Sequence, residues 1–217
     1  LLSKDQHPQV VQIMEAMGNH FLNSAQPPLA RAGQDLLDEA KVVELDGGIR
    51  KLQEGVEGAE DELLAAAQKL LTNDDVDPRR MQLVAMMSAS IADKHPEMNA
   101  KLLDMVHESL QKKLGEEDVP ADELLAMADV AGDLDEKHAQ TAALVREKLL
   151  ATVEDDLAGD EVDGQIVGGL LSGVAMQAEY TGNLALADKV LDVLAAALDK
   201  VPSERERESL TTQVDAA

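Results

Sequence analysis

The sequence predicts an all-α fold: a stack of antiparallel helical hairpins, α-solenoid-like, with about nine or ten helices. Three observations carry that expectation. First, a helical phrase repeats. Lys101-Leu-Leu-Asp-Met-Val-His-Glu-Ser-Leu-Gln-Lys112 returns as Lys189-Val-Leu-Asp-Val-Leu-Ala-Ala-Ala-Leu-Asp-Lys200, with five of twelve positions identical and the apolar positions coincident. Self-similarity of this kind points to stacked helical hairpins that bury their faces against one another. Second, the 217 residues hold one Phe, one Tyr and no Trp, so a core must be built from Leu, Val, Met and Ala. Most of these are good helix formers, and small Ala side chains let helix backbones approach closely, whereas strands lean on aromatic and β-branched residues. Third, Pro, Gly and Asp punctuate the chain at helix-length intervals.

Taken in order, Pro8 opens a helix carrying Val10, Val11, Met14, Met17, Phe21 and Leu22. Pro27-Pro28 ends that segment and starts another, through about Leu45, with Leu29, Ala32, Leu36, Leu37, Ala40 and Val43 at helical spacing. Asp46-Gly47-Gly48 is expected to break it, and the four glycines between Gly47 and Gly58 make that stretch the poorest helical candidate. Ala59 to Leu71 reads as a helix with Leu63, Leu64, Ala67, Leu70 and Leu71 on one stripe. Asn73 to Asp77 is a loop closing on an N-cap Asp before Pro78, and the next helix runs to about Lys94. His95-Pro96 cuts the chain, Pro96 and Pro120 each open a helix, and further helices are expected near 121–131, 135–157, 164–181 and 184–201. Ser203-Glu204-Arg205-Glu206 has capping-box spacing for a short last helix.

Leu83, Leu124 and Leu171 fall in the first helices of three hairpins. The second helices carry the stripes Met98/Leu102/Met105/Ser109, Ala142/Val145/Leu149/Val153 and Ala187/Val190/Leu191/Leu194/Leu198. The domain expectation is one helical-repeat unit over 1–217 with a weak boundary at 46–58. The first residue, Leu1, and the closing Val214-Asp-Ala-Ala217 suggest a piece of a longer protein.

Gly182-Asn183-Leu184-Ala185-Leu186-Ala187, followed by Leu191 and Pro202, resembles the turn and second helix of a tetratricopeptide repeat. That family places Gly at the turn, Ala five residues on and a large apolar residue four later. The resemblance covers one hairpin of about 30 residues, and the family's aromatic first-helix positions are not filled here. It implies a helical-hairpin scaffold. In general character the chain also resembles the helical regions that precede thioredoxin-like domains in some bacterial envelope proteins, which gives a lean toward the cell envelope.

Charge narrows the partner classes. With 43 acids against 19 bases the formal net charge is -24. A polyanion repels nucleic acid and anionic lipid, so the expected partner is a protein or peptide, preferentially basic. The absence of Cys removes thiol nucleophiles and thiolate metal sites, and no apolar run reaches membrane-spanning length.

Candidate chemistry is thin. Glu161-Val-Asp-Gly-Gln-Ile166 and Glu44-Leu-Asp-Gly-Gly-Ile49 match part of a calcium loop but lack its closing bidentate acid, so helix-turn chemistry is the expectation for both. The five histidines form no His-x3-His unit. The glycines at 164, 168, 169 and 173 stand beside no phosphate-loop Lys and are expected to permit close helix contact. No catalytic set, metal site or cofactor site is predicted. The candidate interaction surface is Met86, Met87, His95, Met127, His138 and Tyr180, because Met-rich surfaces adapt to peptides and the two histidines flank helix bends. The first functional expectation is therefore a noncatalytic protein-interaction scaffold. Two others stand beside it: an accessory helical domain of a larger envelope enzyme, such as a thioredoxin-like redox protein, and a pocket-bearing metal or small-molecule binder.

Overall fold

The computed structural model describes residues 7–24, 26–72, 77–116, 119–132, 134, 136–159, 162–181 and 184–214, with the side chains of 136, 166, 175–181 and 184 left aside. Among these residues there are helices and turns and no strand. The helices are α1 (His7–Leu22), α2 (Pro27–Gln53), α3 (Ala59–Leu71), α4 (Pro78–Ala89), α5 (Pro96–Leu114), α6 (Ala121–Gly132), α7 (Ala139–Asp156), α8 (Gly164–Thr181), α9 (Leu184–Ala197) and α10 (Glu204–Val214). Single 3₁₀ turns, Glu136–His138 and Leu198–Lys200, precede α7 and follow α9. The all-α expectation and most helix starts agree with this order.

Two compact units organise the chain. The first comprises Leu1–Val76 with Leu83–Ser109, the second Asp77–Gln82 with Leu110–Ala217. In the first, α1 lies along α2 and α2 along α3. Gly18 and Gly33 meet where α1 and α2 cross. A Cβ on Gly33 would lie 2.4 Å from the Leu22 amide nitrogen and 2.6 Å from the Gly18 carbonyl oxygen, so this contact requires glycine. The unit's core is aliphatic: Leu45, Ile49, Leu52, Leu63, Ala67, Leu70, Val84, Ile91, Leu102 and Val106 are all buried. Each large side chain removed from water contributes about 1.5–3 kcal/mol.

In the second unit α6 pairs with α7 and α8 with α9. The first members of the two pairs, α6 and α8, touch each other, as do the second members, α7 and α9. Helix α10 then packs on α8 and α9. Lysines reinforce this order. Lys148 Nζ, from α7, donates to the Leu114 carbonyl (2.9 Å) and the Glu116 carbonyl (2.7 Å) at the end of α5. Lys200 Nζ, after α9, donates to the Leu157 carbonyl at the end of α7 (2.8 Å). A cation satisfying the last carbonyls of a helix also complements its dipole.

The repeated phrase is expressed as repeated burial. Leu102 and Val190, Val106 and Leu194, and Leu110 and Leu198 are buried position for position. The α7 stripe Ala142, Val145, Leu149 and Val153 is buried as expected. The α5 stripe needs correction: Met105 and Ser109 are only half-buried, and Val106 and Leu110 one position on take the core.

Two helix ends also differ from expectation. Helix α2 does not break at Asp46-Gly47-Gly48 but continues to Gln53. Gly47 and Gly48 are buried inside it. A Cβ on Gly47 would touch the His7 ring at 3.4 Å, and one on Gly48 would lie 3.1 Å from Leu63 Cα. Of the four glycines between Gly47 and Gly58, Gly55 (φ 72) and Gly58 (φ 79) are the turn glycines. The Val56 amide donates to the Lys51 carbonyl (2.9 Å) and the Gly55 amide to the Leu52 carbonyl (3.0 Å), the paired bonds of a Schellman stop. Helix α4 ends at Ala89, and residues 90–94 form turns rather than a last helical stretch. The Asp77 and Ser203 caps do form. Asp77 Oδ1 accepts from the Arg79 amide (2.9 Å) and Ser203 Oγ from the Glu206 amide (3.4 Å). The remainder of the acidic loop, 73–76, lies outside the described residues.

Candidate interaction surface

Five of the six candidate residues have a definite place. Met86 projects from α4 and is 61% exposed, with Met87 beside it half-buried. His95 is half-buried just ahead of α5, where the expected bend occurs, and lines a shallow cleft of about 450 Å³ with Leu52, Val56 and Asp61 near the α2–α3 turn. All three belong to the first unit. Met127 and His138 belong to the second and are not surface residues. Met127, on α6, is fully buried, and His138, at the start of α7, is 4% exposed. On α6 the run Leu124, Leu125, Met127, Ala128, Val130 and Ala131 is buried, so Met127 faces the core. The Tyr180 side chain lies outside the described residues.

The first unit contains a cleft of about 350 Å³ among α1, α2 and α3, with Pro8, Val11 and Ala65 in its wall and charged groups from Glu15, Glu44, Lys51, Glu62 and Lys69 at its edges. Its charges are largely matched internally. His7 Nε2 and Asp46 Oδ2 are 3.0 Å apart, and Arg50 Nε reaches the same oxygen at 3.1 Å. Lys51 pairs with Glu62 and Lys69 with Glu44. A cleft whose titratable groups already neutralise one another ties three helices together and leaves little charge for a ligand. The Glu44–Ile49 stretch runs along α2 as helix, so it forms no calcium loop.

The second unit contains an open groove of about 770 Å³ between the start of α6, one face of α7 and the first turns of α8. Val119, Ala121 and Leu170 are buried in its wall, and Ala151 and Gly169 are small. A Cβ added to Gly169 would meet nothing within 4 Å. Asp122, Asp155 and Asp156 stand exposed around it, and none makes an ion pair among the described residues. Lys148 also borders the groove, but its ammonium is spent on the α5 carbonyls. Helix α6 begins at the same edge, with Asp122 and Glu123 in its first turn.

Sequence reading missed this groove because its parts come from three helices and a loop. Gly169 was expected at a close helix contact, and only the structure shows that a Cβ there would meet nothing within 4 Å.

Among the described residues no group of three or more His, Asp or Glu is placed to hold a metal ion, and no helix is long and apolar enough to cross a membrane. No protein-family model, no curated protein and no solved structure matches this chain.

Proposed function

We propose that the protein is a noncatalytic helical scaffold of stacked hairpins that binds a basic peptide or protein segment in the α6–α7–α8 groove. One observation carries this reading. The α6–α7–α8 groove joins an apolar, small-residue wall to three carboxylates that make no ion pair among the described residues. A Lys- or Arg-bearing amphipathic segment satisfies both halves, its apolar face against Ala121, Ala151 and Leu170 and its cations toward Asp122, Asp155 and Asp156. The like-on-like contacts of α6 with α8 and α7 with α9 support the stacked-hairpin architecture.

Peptide binding tests the proposal. The chain has no Trp, so a single-Trp peptide reports its own environment without background. A peptide of 16–18 residues with Leu and Lys at helical spacing is expected to bind with a Kd on the order of micromolar at low salt. Its Glu-for-Lys counterpart is expected not to bind. Gly169→Leu should fill the groove and abolish binding, and the Asp122→Asn/Asp155→Asn/Asp156→Asn variant should weaken it about tenfold. Undiminished binding to Gly169→Leu would remove the groove from the proposal.

A further inference from the structure

Of the exposed large apolar side chains described in the first unit, Met86 and Val56 stand apart and the other four lie close together in sequence. Ile13, Met17, Leu22 and Leu29 are 59%, 45%, 41% and 38% exposed, and all four belong to α1 or the start of α2. Val10, Met14 and Phe21 around them are only half-buried. On α1 the buried side is marked by His7 and Gly18, which face α2. Ile13 and Met17, four residues apart, form one stripe on another side, with Val10 and Met14 adjoining it. Helix α1 therefore carries two apolar faces and spends only one of them on α2.

Charge identifies what covers the other. Residues 7–34 contain two formally charged side chains, Glu15 and Arg31, and sum to zero in a chain of net charge -24. A basic partner finds no counter-charge here. Two copies of a polyanion repel each other everywhere except through a patch of this kind, where like charge is lowest and apolar exposure highest. We infer that α1 and the first turns of α2 form an isologous interface with a second copy of this chain, two hairpins closing into a four-helix arrangement across a two-fold axis.

The size is sufficient. Sixteen residues of α1 span about 24 Å, and two adjacent helices present a face about 20 Å wide. That is on the order of 500 Å² per copy, or about 1,000 Å² for the pair, at the lower bound of specific interfaces. The dimer is therefore expected to be reversible, with a Kd on the order of 1–10 µM. Because 2 × (-24) charges oppose it, association should tighten as salt screens the repulsion, opposite to a contact held by ion pairs.

Sedimentation equilibrium on the full chain measures this directly. The expected result is a monomer–dimer equilibrium between 23.2 kDa and twice that mass, shifted toward dimer by sodium chloride. Ile13→Glu/Met17→Glu, at positions already in water, should be monomeric at about 100 µM with an unchanged helical circular dichroism spectrum. The chain lacks Cys, so Met17→Cys gives a single thiol. Mild oxidation should cross-link it as a covalent dimer, whereas Leu144→Cys, 48% exposed on α7 and outside the proposed interface, should not cross-link. Three outcomes overturn the inference: a wild-type chain monomeric to about 100 µM, which assigns the face to a different protein; a double variant that still dimerises; or equal cross-linking of the two single-cysteine variants. None of these touches the α6–α7–α8 groove, so this inference and the peptide-binding proposal fail separately.

Discussion

Glycine has four different jobs in this chain, and the residue name does not distinguish them. Gly33 sits where any side chain would strike the backbone of α1. Gly47 and Gly48 make room for the His7 ring and for Leu63 within a continuous helix. Gly55 and Gly58 supply the positive φ of a turn. Gly169 meets nothing. Substitution by Ala separates these roles. Gly33→Ala should lower the urea-unfolding free energy by about 2–3 kcal/mol, because α1 must move off α2 to admit a methyl group. Gly169→Ala should leave stability unchanged or raise it by about 0.5–1 kcal/mol, since a helix interior favours Ala where there is space. Equal effects at the two positions would contradict the α1–α2 crossing. Histidine shows the same dependence on place: His7 and His138 are both buried, His7 with its ring held against Asp46, while His95 lies half in water.

At the scale of elements, helix existence was legible and helix facing was less so. Pro8, Pro27, Pro78, Pro96 and Pro120 all lie within one residue of a helix start, because proline fits a first turn whose amides are unpaired in any case. Helix α2 outran its expected end because buried close contacts outweigh the intrinsic cost of two glycines, about 1 kcal/mol each. On α5 the register moved by one residue, from Met105 and Ser109 to Val106 and Leu110. Several apolar residues in sequence offer two adjacent stripes, and only a neighbouring helix selects one. The lysine contacts between alternate helices follow the same logic. Lys148 and Lys200 stand among many basic residues in sequence, yet each closes the carbonyl end of another helix. Lys148→Met keeps the aliphatic stem and removes two charge-assisted bonds, so it should cost about 1–2 kcal/mol in thermal or urea unfolding. Lys200→Met should cost about 1 kcal/mol. A loss within error for both would show that water caps these ends equally well. Lys113 is a different case: buried, and paired with Glu116 at 3.0 Å and Glu123 at 3.1 Å.

For the whole molecule, charge is the dominant global term. A net charge of -24 spread over 217 residues disfavours the compact state through self-repulsion. The midpoint of thermal unfolding should therefore rise as sodium chloride increases from about 20 mM to 500 mM, a range over which the screening length falls well below the width of a helical pair. A midpoint that falls over that range would mean that local ion pairs such as Lys51–Glu62 and Lys69–Glu44 outweigh the global repulsion. The sequence by itself determined that this chain is helical, aliphatic in its core, strongly acidic and punctuated at nearly the right places. Those properties follow from local propensity, periodicity and composition, which act within a few turns. Tertiary structure alone decided that Met127 and His138 are core residues, that three aspartates from α6 and α7 gather around one groove, and that α1 keeps a second apolar face in water. Burial and convergence depend on which helices become neighbours, and that choice is made by contacts among residues far apart in the chain.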